Sequence, residues 1–379
     1  MVFKREARVG RTPKQVQREL RTRAQAGVCR MFGIKKKKAP DGASGASRSM
    51  TIYLEPLNAR AQHGLRNRRP GSHSFELLTY APALIGQIDA GVGKRRTAVK
   101  IGMNLFLWTI NVTEDLFPLF PKLKAAGYEG LEIPIARANK PIYVNIRKVL
   151  DDLGMQCTTI FNLGADLNPI SPDKAVRERA LDELKWAIDT SRGLLRSEAL
   201  VGPYYSAYAV FSGKGPTTHE LKWSAEVMRD AAAYAGDLRM SIEFLNRFET
   251  YLLNTTGQTV SLVDDVKHLN FGILYDTHHA HREENNICAA ITTAGDRINH
   301  VHFSESQRGT LGTGLVDWIG TVKALKKINY QKWIMVESFS KEVLSEKAHV
   351  WRNSFPAKEE VYENAIGFVR NLWENVSAD

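Results

Sequence analysis

The chain has 379 residues, 25% of them charged, long enough for one large domain of about 250 residues plus an appendage. Its formal net charge of +11 sits at one end: residues 1–100 carry 22 Lys and Arg against 6 Asp and Glu, and the remainder carry 30 against 35. The globular part therefore lacks the basic surface of a nucleic-acid-binding domain. Cys29, Cys157 and Cys288 form no C-x-x-C pair, which argues against a disulfide framework and for a reducing, cytoplasmic setting, and the absence of any run of 18 apolar residues argues against a transmembrane helix.

Residues 1–98 scatter basic side chains through KREARVGRTPKQVQRELRTR, a lysine run at Lys35–Lys38 and a cluster at Arg66–Arg69. Apolar residues there are too sparse to bury a core, so a disordered extension is expected, because ordering it costs more than burial returns. The patch LLTYAPALIG is compatible with a short helix or strand. An Arg-rich, acid-poor transit peptide and a basic tail for nucleic acid or a membrane surface are alternatives. A start placed too far upstream ranks above both, since Met103 opens the first strand region.

From Val99 the pattern changes. VKIGMNLFLW (99–108) predicts a first strand, followed by a helix over 116–126 that ends at Gly127. GLEIPI (130–135) and QCTTIFNL (156–163) predict the second and third strands, with a helix over 141–154 between them, Gly154 closing it. The third helix opens with Ser171 as N-cap and Pro172 at its first position and runs to about Arg192. EALVGPYYS holds the fourth strand and THELKWSAEVMRDAAAYAG the fourth helix. MSIEFL, FGILYD, INHVH and WIMVE predict strands five to eight, with helices over 259–266, 285–294, 318–328 and 359–375. Eight strand–helix units with continuous apolar strands predict an α/β fold, a (β/α)₈ TIM barrel over 99–379. A doubly wound sheet would carry a glycine-rich phosphate turn after its first strand, where this chain reads NLFLWTINVTED.

Strands five to eight each end in a ligand-type side chain: Glu243, Asp276, His302 and Glu337. In a parallel barrel these converge at the C-terminal face, where three carboxylates and one imidazole suit Mn²⁺ or Mg²⁺, with Co²⁺ tolerated. One histidine and no cysteine argue against a structural zinc site. A lone acid at a strand end is usually a helix cap or an ion-pair partner; four on four consecutive strands are harder to assign so.

The segments E-x-L-N-R-F-E (243–249), D-T-x-H (276–279), H-x-H-x-S-E-x-x-R-G (300–309) and E-S-F (337–339) carry a family resemblance. Over 99–379 the chain resembles the D-tagatose and D-psicose (D-allulose) 3-epimerases, which share the xylose-isomerase-like barrel. The resemblance implies a metal-dependent ketose 3-epimerase. It implies that Glu243, Asp276, His302 and Glu337 bind the metal, commonly Mn²⁺, that Glu243 and Glu337 double as the acid/base pair, and that Glu249, His279 and Arg308 hydrogen-bond the sugar near its O1–O3 end. A small-molecule ketose partner and a homodimer or homotetramer are implied too, with neither nucleic acid nor membrane. The chemistry is consistent: inverting C3 of a ketose requires one base on each face of a planar enediolate.

Each second-tier residue has a plainer reading. Arg308, in SQRGTLGTG, also reads as a solvated surface arginine, and Glu249 as the partner of Arg247. DTHHAH departs from the family, which places an aromatic, a histidine, a methionine and an asparagine there; His278 and His281 read as surface groups or as a change in substrate fit. Phe244 replaces a proline or small aliphatic residue. Trp108, Phe339 and the Tyr204–Tyr208 loop are candidate apolar walls, or else core or interface residues; Glu132 orients a ligand or pairs with a helix.

Three competing functions share parts of these features. An aldose–ketose isomerase, hydroxypyruvate isomerase or inosose dehydratase would use the same metal set. A barrel endonuclease would need more strand-end histidines than strands one to four provide. A non-catalytic binding protein would not need all four ligand positions.

Overall fold

The structure, a computed structural model, describes residues 99–378 except 138 and 139; the expectation of a disordered extension over 1–98 lies outside the described residues. Eight strands, β1 (Lys100–Asn104), β2 (Gly130–Pro134), β3 (Gln156–Ile160), β4 (Ala199–Gly202), β5 (Arg239–Glu243), β6 (Phe271–Asp276), β7 (Ile298–Ser304) and β8 (Trp333–Glu337), pair in parallel in sequence order. β8 returns to β1 and closes the barrel. The strands are buried along almost their whole length, since helices cover one face and the barrel interior the other.

Around the barrel run α1 (Leu119–Ala126), α2 (Lys140–Asp152), α3 (Lys174–Asp189), α4 (Thr218–Ala235), α5 (Thr256–Val266), α6 (Thr277–Glu283), α7 (Ile287–Ala294), α8 (Trp318–Lys327), α9 (Lys341–Ala348) and α10 (Lys358–Asn375). α4 and α5 open with capping boxes, Thr217 with Glu220 and Thr255 with Gln258. α3 starts later than the sequence suggests. Its N-cap is Asp173, which accepts from Ala175 N, while Ser171 Oγ accepts from Asp173 N in the preceding turn. Beyond Asp189 the chain runs on as a π-helical turn, Thr190–Leu194.

The first strand is also shorter than its apolar run. Asn104 Oδ1 accepts from Phe106 N at 2.7 Å and starts a 3₁₀ turn, Leu105–Leu107, so the chain leaves the sheet there. Residues 105–108 consequently stand at the mouth of the barrel.

A register shift between β6 and β7 determines what the barrel interior contains. Ile273 pairs with Ile298, but Leu274 pairs with His300, so Asn299 is bulged out. Gly272 makes this possible, because a Cβ there would come within 2.3 Å of Asn299 Nδ2. Asn299 Oδ1 takes a hydrogen bond from Lys332 Nζ at 2.7 Å. The shift leaves His300 and His302, two apart on β7, on the same buried face.

The two barrel ends differ in chemistry. At the N-terminal end, Glu198 accepts from Lys100 Nζ, Trp333 Nε1 and Arg239 Nη2, tying β1, β5 and β8 together. The C-terminal end carries the candidate site.

Candidate metal centre and active site

Glu243, Asp276, His302 and Glu337 stand at the ends of β5, β6 and β8 and near the end of β7. All four are buried, and each offers one ligand atom within 4.8 Å of the others'. The distances follow from register: Asp276 lies opposite His302, and Ser304 opposite Glu337. Asp276 is also the N-cap of α6, its Oδ1 accepting from His278 N at 2.6 Å, which fixes the carboxylate where strand becomes helix.

The imidazole shows how the donor set suits a cation. His302 Nδ1 is buried, makes no hydrogen bond of good geometry, and faces Glu337 Oε1 at 3.3 Å and Glu243 Oε1 at 3.9 Å. Its other nitrogen, Nε2, lies 2.7 Å from Glu132 Oε1. Both approaches are short but off-axis, so they act as charge–charge contacts more than as directed bonds. A buried, unbonded nitrogen among three carboxylates fits a hard divalent cation such as Mn²⁺ or Mg²⁺.

Arg308 supplies positive charge to the same carboxylates. Its Nη1 donates to Asp276 Oδ2 at 2.9 Å, to Ser304 Oγ at 2.8 Å and to Glu337 Oε2. The guanidinium stacks over Phe339 with 4.2 Å from Cζ to the ring centroid. The residue is buried in a left-handed conformation, φ +62°, and its carbonyl accepts from Phe339 N and Ser338 Oγ. The surface-arginine reading is therefore corrected. Its loop is held by Glu305, a buried carboxylate that accepts from Ser306 N, Gly312 N and Trp318 Nε1.

Burial dominates the site's protonation and pushes Glu243 well above the ordinary carboxylate value, with Glu337 and Asp276 adding to it and His302 opposing. Asp276 rises to about 6, for burial again outweighs the nearby Arg308. Glu337 goes the other way: burial acts upward, but His302 and Arg308 together bring it below the usual value. Burial works against a charged His302, yet Glu132 and Glu337 raise it well above the usual imidazole value. The two carboxylates thus favour a protonated His302 in the metal-free protein, and a metal ligand must shed the proton on Nδ1.

Glu249 and His279 form an adjoining group around Asn246. Asn246 N donates to His279 Nδ1 at 3.0 Å, and Asn246 Nδ2 to Glu249 Oε1 at 2.7 Å. Tyr208 Oη donates to Glu249 Oε2 at 3.1 Å. Arg247 instead pairs with Glu283, at 2.8 Å, so the Glu249–Arg247 pairing is excluded. Burial, reinforced by Arg308, holds His279 neutral, well below the usual imidazole value. With Nδ1 accepting, the ring proton belongs on Nε2, which faces Arg308 Nη2 at 3.0 Å. Two donors that face each other are best satisfied by an oxygen accepting from both.

Glu243, Glu249, His279, Arg308 and Glu337 all line one cavity of about 250 Å³. Its apolar wall includes Phe106, Ile135, Phe161 and Phe339, with Phe106 and Phe339 edge to face at 5.9 Å. Phe339 and Tyr208 thus lie at the cavity, whereas Trp108 packs on Tyr362 and Tyr204 and Tyr205 are core residues. An outer cavity of about 340 Å³ shares Glu249, Arg308 and Phe339 and adds His278, Arg282 and Trp351. His278 is buried rather than a surface group: Nδ1 lies 3.1 Å from Glu305 O, and Nε2 accepts from Arg282 Nε at 3.3 Å. His281 is half-buried on α6.

Four residues at or beneath the site were not assigned from sequence. Asn246, in N-R-F-E, and Glu305, in H-x-H-x-S-E, belong to the quoted segments, where polar neighbours along the chain leave neither residue distinguished. Phe106 was obscured by the length of the first apolar run. Glu132, left open between two roles, reaches across the barrel to His300 and His302 on β7.

A closed parallel barrel with a buried carboxylate–imidazole group at its C-terminal face has the architecture of a barrel enzyme with a candidate metal centre. Comparison with known proteins agrees. The xylose isomerase-like TIM barrel family pattern matches residues 120–372. An L-ribulose 3-epimerase of Methylomonas sp. (strain DH-1) is 31% identical over 254 residues, 65% of this chain and 88% of that protein. A ketose 3-epimerase of Arthrobacter globiformis is 30% identical over 280 residues, 72% of this chain and 96% of that one. The crystal structure of D-allulose 3-epimerase from Methylomonas sp. in complex with D-allulose superposes with a TM-score of 0.68 at 28% identity, covering 72% of this chain and 96% of that one. The chain belongs to the ketose 3-epimerase family of the xylose isomerase-like TIM barrels, and it is an enzyme of the isomerase class.

Proposed function

We propose that this protein is a metal-dependent 3-epimerase of free ketoses, of the D-tagatose, D-fructose/D-psicose or L-ribulose type. One observation carries the reading: Glu243 and Glu337 belong to a single buried ligand group and also line the cavity that holds Glu249, His279 and Arg308. Glu243, Asp276, His302 and Glu337 would hold the cation, Mn²⁺ by preference, with Mg²⁺ or Co²⁺ as substitutes. When bound, it supplies Lewis-acid stabilisation of negative charge on adjacent sugar oxygens.

The protein's own residues account for the proton traffic. One of the two glutamates, as carboxylate, removes the C3 proton; the C–H electron pair becomes the C2–C3 double bond, and the carbonyl π pair moves to O2. The other, as carboxylic acid, returns a proton to C3 from the opposite face, and the electrons flow back to restore the C2 carbonyl. The starting epimer determines which glutamate acts first. His279 Nε2–H and Arg308 are directed donors for oxygens near the reacting carbons, and Glu249 is an acceptor for a hydroxyl. The apolar wall at Phe106 and Phe339 takes the remainder of the sugar.

The names of the relatives support the reaction class, and among the described residues no helix is long and apolar enough to cross a membrane. A cytoplasmic homo-oligomer is part of the same reading. The test is direct: purified protein reloaded with Mn²⁺ after chelation is incubated with D-fructose, D-tagatose and L-ribulose, and products are resolved chromatographically. C3 epimers that form with metal and not with chelator are the expected result; aldoses as the products would assign an aldose–ketose isomerase instead.

A further inference from the structure

We propose that Glu132, with Asn104 as its bridge to Glu337, is a positioning residue that sets the cation affinity of the metal centre by fixing which nitrogen of His302 faces the ion. The inference rests on the preceding reading that His302 and Glu337 are cation ligands.

Asn104, Glu132, Thr158, His300 and His302 are all 0% exposed. Asn104, Glu132 and Thr158 lie directly opposite one another on β1, β2 and β3, so backbone register alone aligns them. Glu132 occupies an interior barrel position that usually holds a branched apolar residue. A buried carboxylate is a poor way to gain stability, since an apolar replacement often does as well. Its presence in the barrel interior points to another role.

That carboxylate takes one directed hydrogen bond on each oxygen and stands within 3 Å of an imidazole nitrogen on each side. Oε1 takes Asn104 Nδ2 at 2.8 Å and lies 2.7 Å from His302 Nε2. Oε2 takes Thr158 Oγ1 at 2.8 Å and lies 2.9 Å from His300 Nε2. An ionised glutamate offers about four such acceptor sites and no donor. The negative charge 2.7 Å from Nε2 favours the proton of His302 on that nitrogen and leaves Nδ1, on the ligand side of the ring, to present a lone pair.

Asn104 extends the same constraint to a second ligand. Its Oδ1 accepts from Phe106 N, which fixes the amide so that Nδ2 points into the barrel. Nδ2 donates to Glu132 Oε1 and, at 3.2 Å, to Glu337 Oε1. Neither Asn104 nor Glu132 lines the cavity, so neither touches substrate. They act through His302 and Glu337.

The experiment uses the full chain. Mn²⁺ binding to Glu132→Gln is measured by titration calorimetry and by the electron paramagnetic resonance of free Mn²⁺, beside a melt in chelator that reports folding alone. Gln turns one acceptor oxygen into a donor facing two donors, and the expected result is about 10–100-fold weaker Mn²⁺ binding. In the Mg²⁺-loaded wild type, ¹⁵N spectra should find the His302 proton on Nε2, and Glu132→Gln should lose that fixed tautomer, a change that a purely structural role would not produce. If Glu132→Gln does not fold, Thr158→Val removes one donor from the carboxylate and should weaken binding several-fold. Mn²⁺ affinity of the variant within about twofold of wild type, or a wild-type His302 protonated on Nδ1, overturns the inference. A wild type that binds no Mn²⁺ would instead sink the metal reading on which it rests.

Discussion

Arg308 Nη1 and Asp276 Oδ2 lie 2.9 Å apart, joined across 32 positions of sequence, and both residues are buried. The contact makes Arg308 the counter-charge of the candidate metal centre as well as a lining residue of its cavity. Arg308→Ala should destabilise the chelator-treated protein by ~3–5 kcal/mol, because it strands buried carboxylates without a partner. Mn²⁺ should recover most of that loss, since a divalent cation supplies the charge that the guanidinium did. Urea melts with and without Mn²⁺ check both parts; an equal loss in the two conditions contradicts the account.

Glu243→Gln and Glu337→Gln remove the two proposed proton carriers and preserve volume. Each should lower the rate of ketose epimerisation by at least about 10²-fold at saturating Mn²⁺. Both must be affected, since a C3 inversion uses the two faces in turn. Initial rates with the best ketose decide the matter, and one variant that keeps near wild-type turnover would remove that glutamate from the proton path.

Much of this arrangement is legible in the chain before folding, for physical reasons. Parallel strands buried on two faces are continuous apolar runs, so β6 and β8 can be delimited from FGILYD and WIMVE alone. A polar residue that ends such a run must stand at the barrel's C-terminal rim, where the ligand atoms of Glu243, Asp276, His302 and Glu337 gather. Contacts across the barrel are not legible. Nothing local pairs Glu132 with His300 and His302, which the β6–β7 register shift turns inward. The apolar run that continues past Asn104 leaves Trp108 open between wall and core, and one side-chain cap decides it by ending the strand and placing Phe106 at the cavity. α6 and α9 leave no periodic mark on the sequence, because each is short and follows a strand almost directly.

His278 carries a pH signature. Burial first, then Arg308 and Arg282, hold it well below the ordinary imidazole value, so the native state keeps it neutral. The unfolded chain takes up that proton near pH 6.5. The folded pKa being the lower one, the stability contribution is present above about pH 6.5 and is lost as pH falls below it. Chelator-treated wild type should therefore lose more stability between about pH 7.5 and about pH 5.5 than His278→Phe does in parallel urea melts. Equal losses would show that His278 titrates alike in both states.

The two cysteines within the described residues should differ in reactivity. Burial pushes the Cys157 thiol up to about 12, with Arg147 opposing, whereas Cys288 is exposed. Iodoacetamide at about pH 8 should label Cys288 in the native protein and Cys157 only in denaturant. Peptide mapping reads the outcome, and native labelling of Cys157 would mean that the β3 core opens readily.

The central claim is that two glutamates on opposite sides of one cation site exchange the proton at C3. Mn²⁺-loaded protein is equilibrated with D-fructose, D-tagatose or L-ribulose in D₂O, and the recovered sugars are read by NMR. The account predicts deuterium at C3 of substrate and epimer, dependent on metal and abolished in Glu243→Gln and Glu337→Gln. Deuterium confined to C1, or no exchange at C3 in any of the three with metal demonstrably bound, would contradict it.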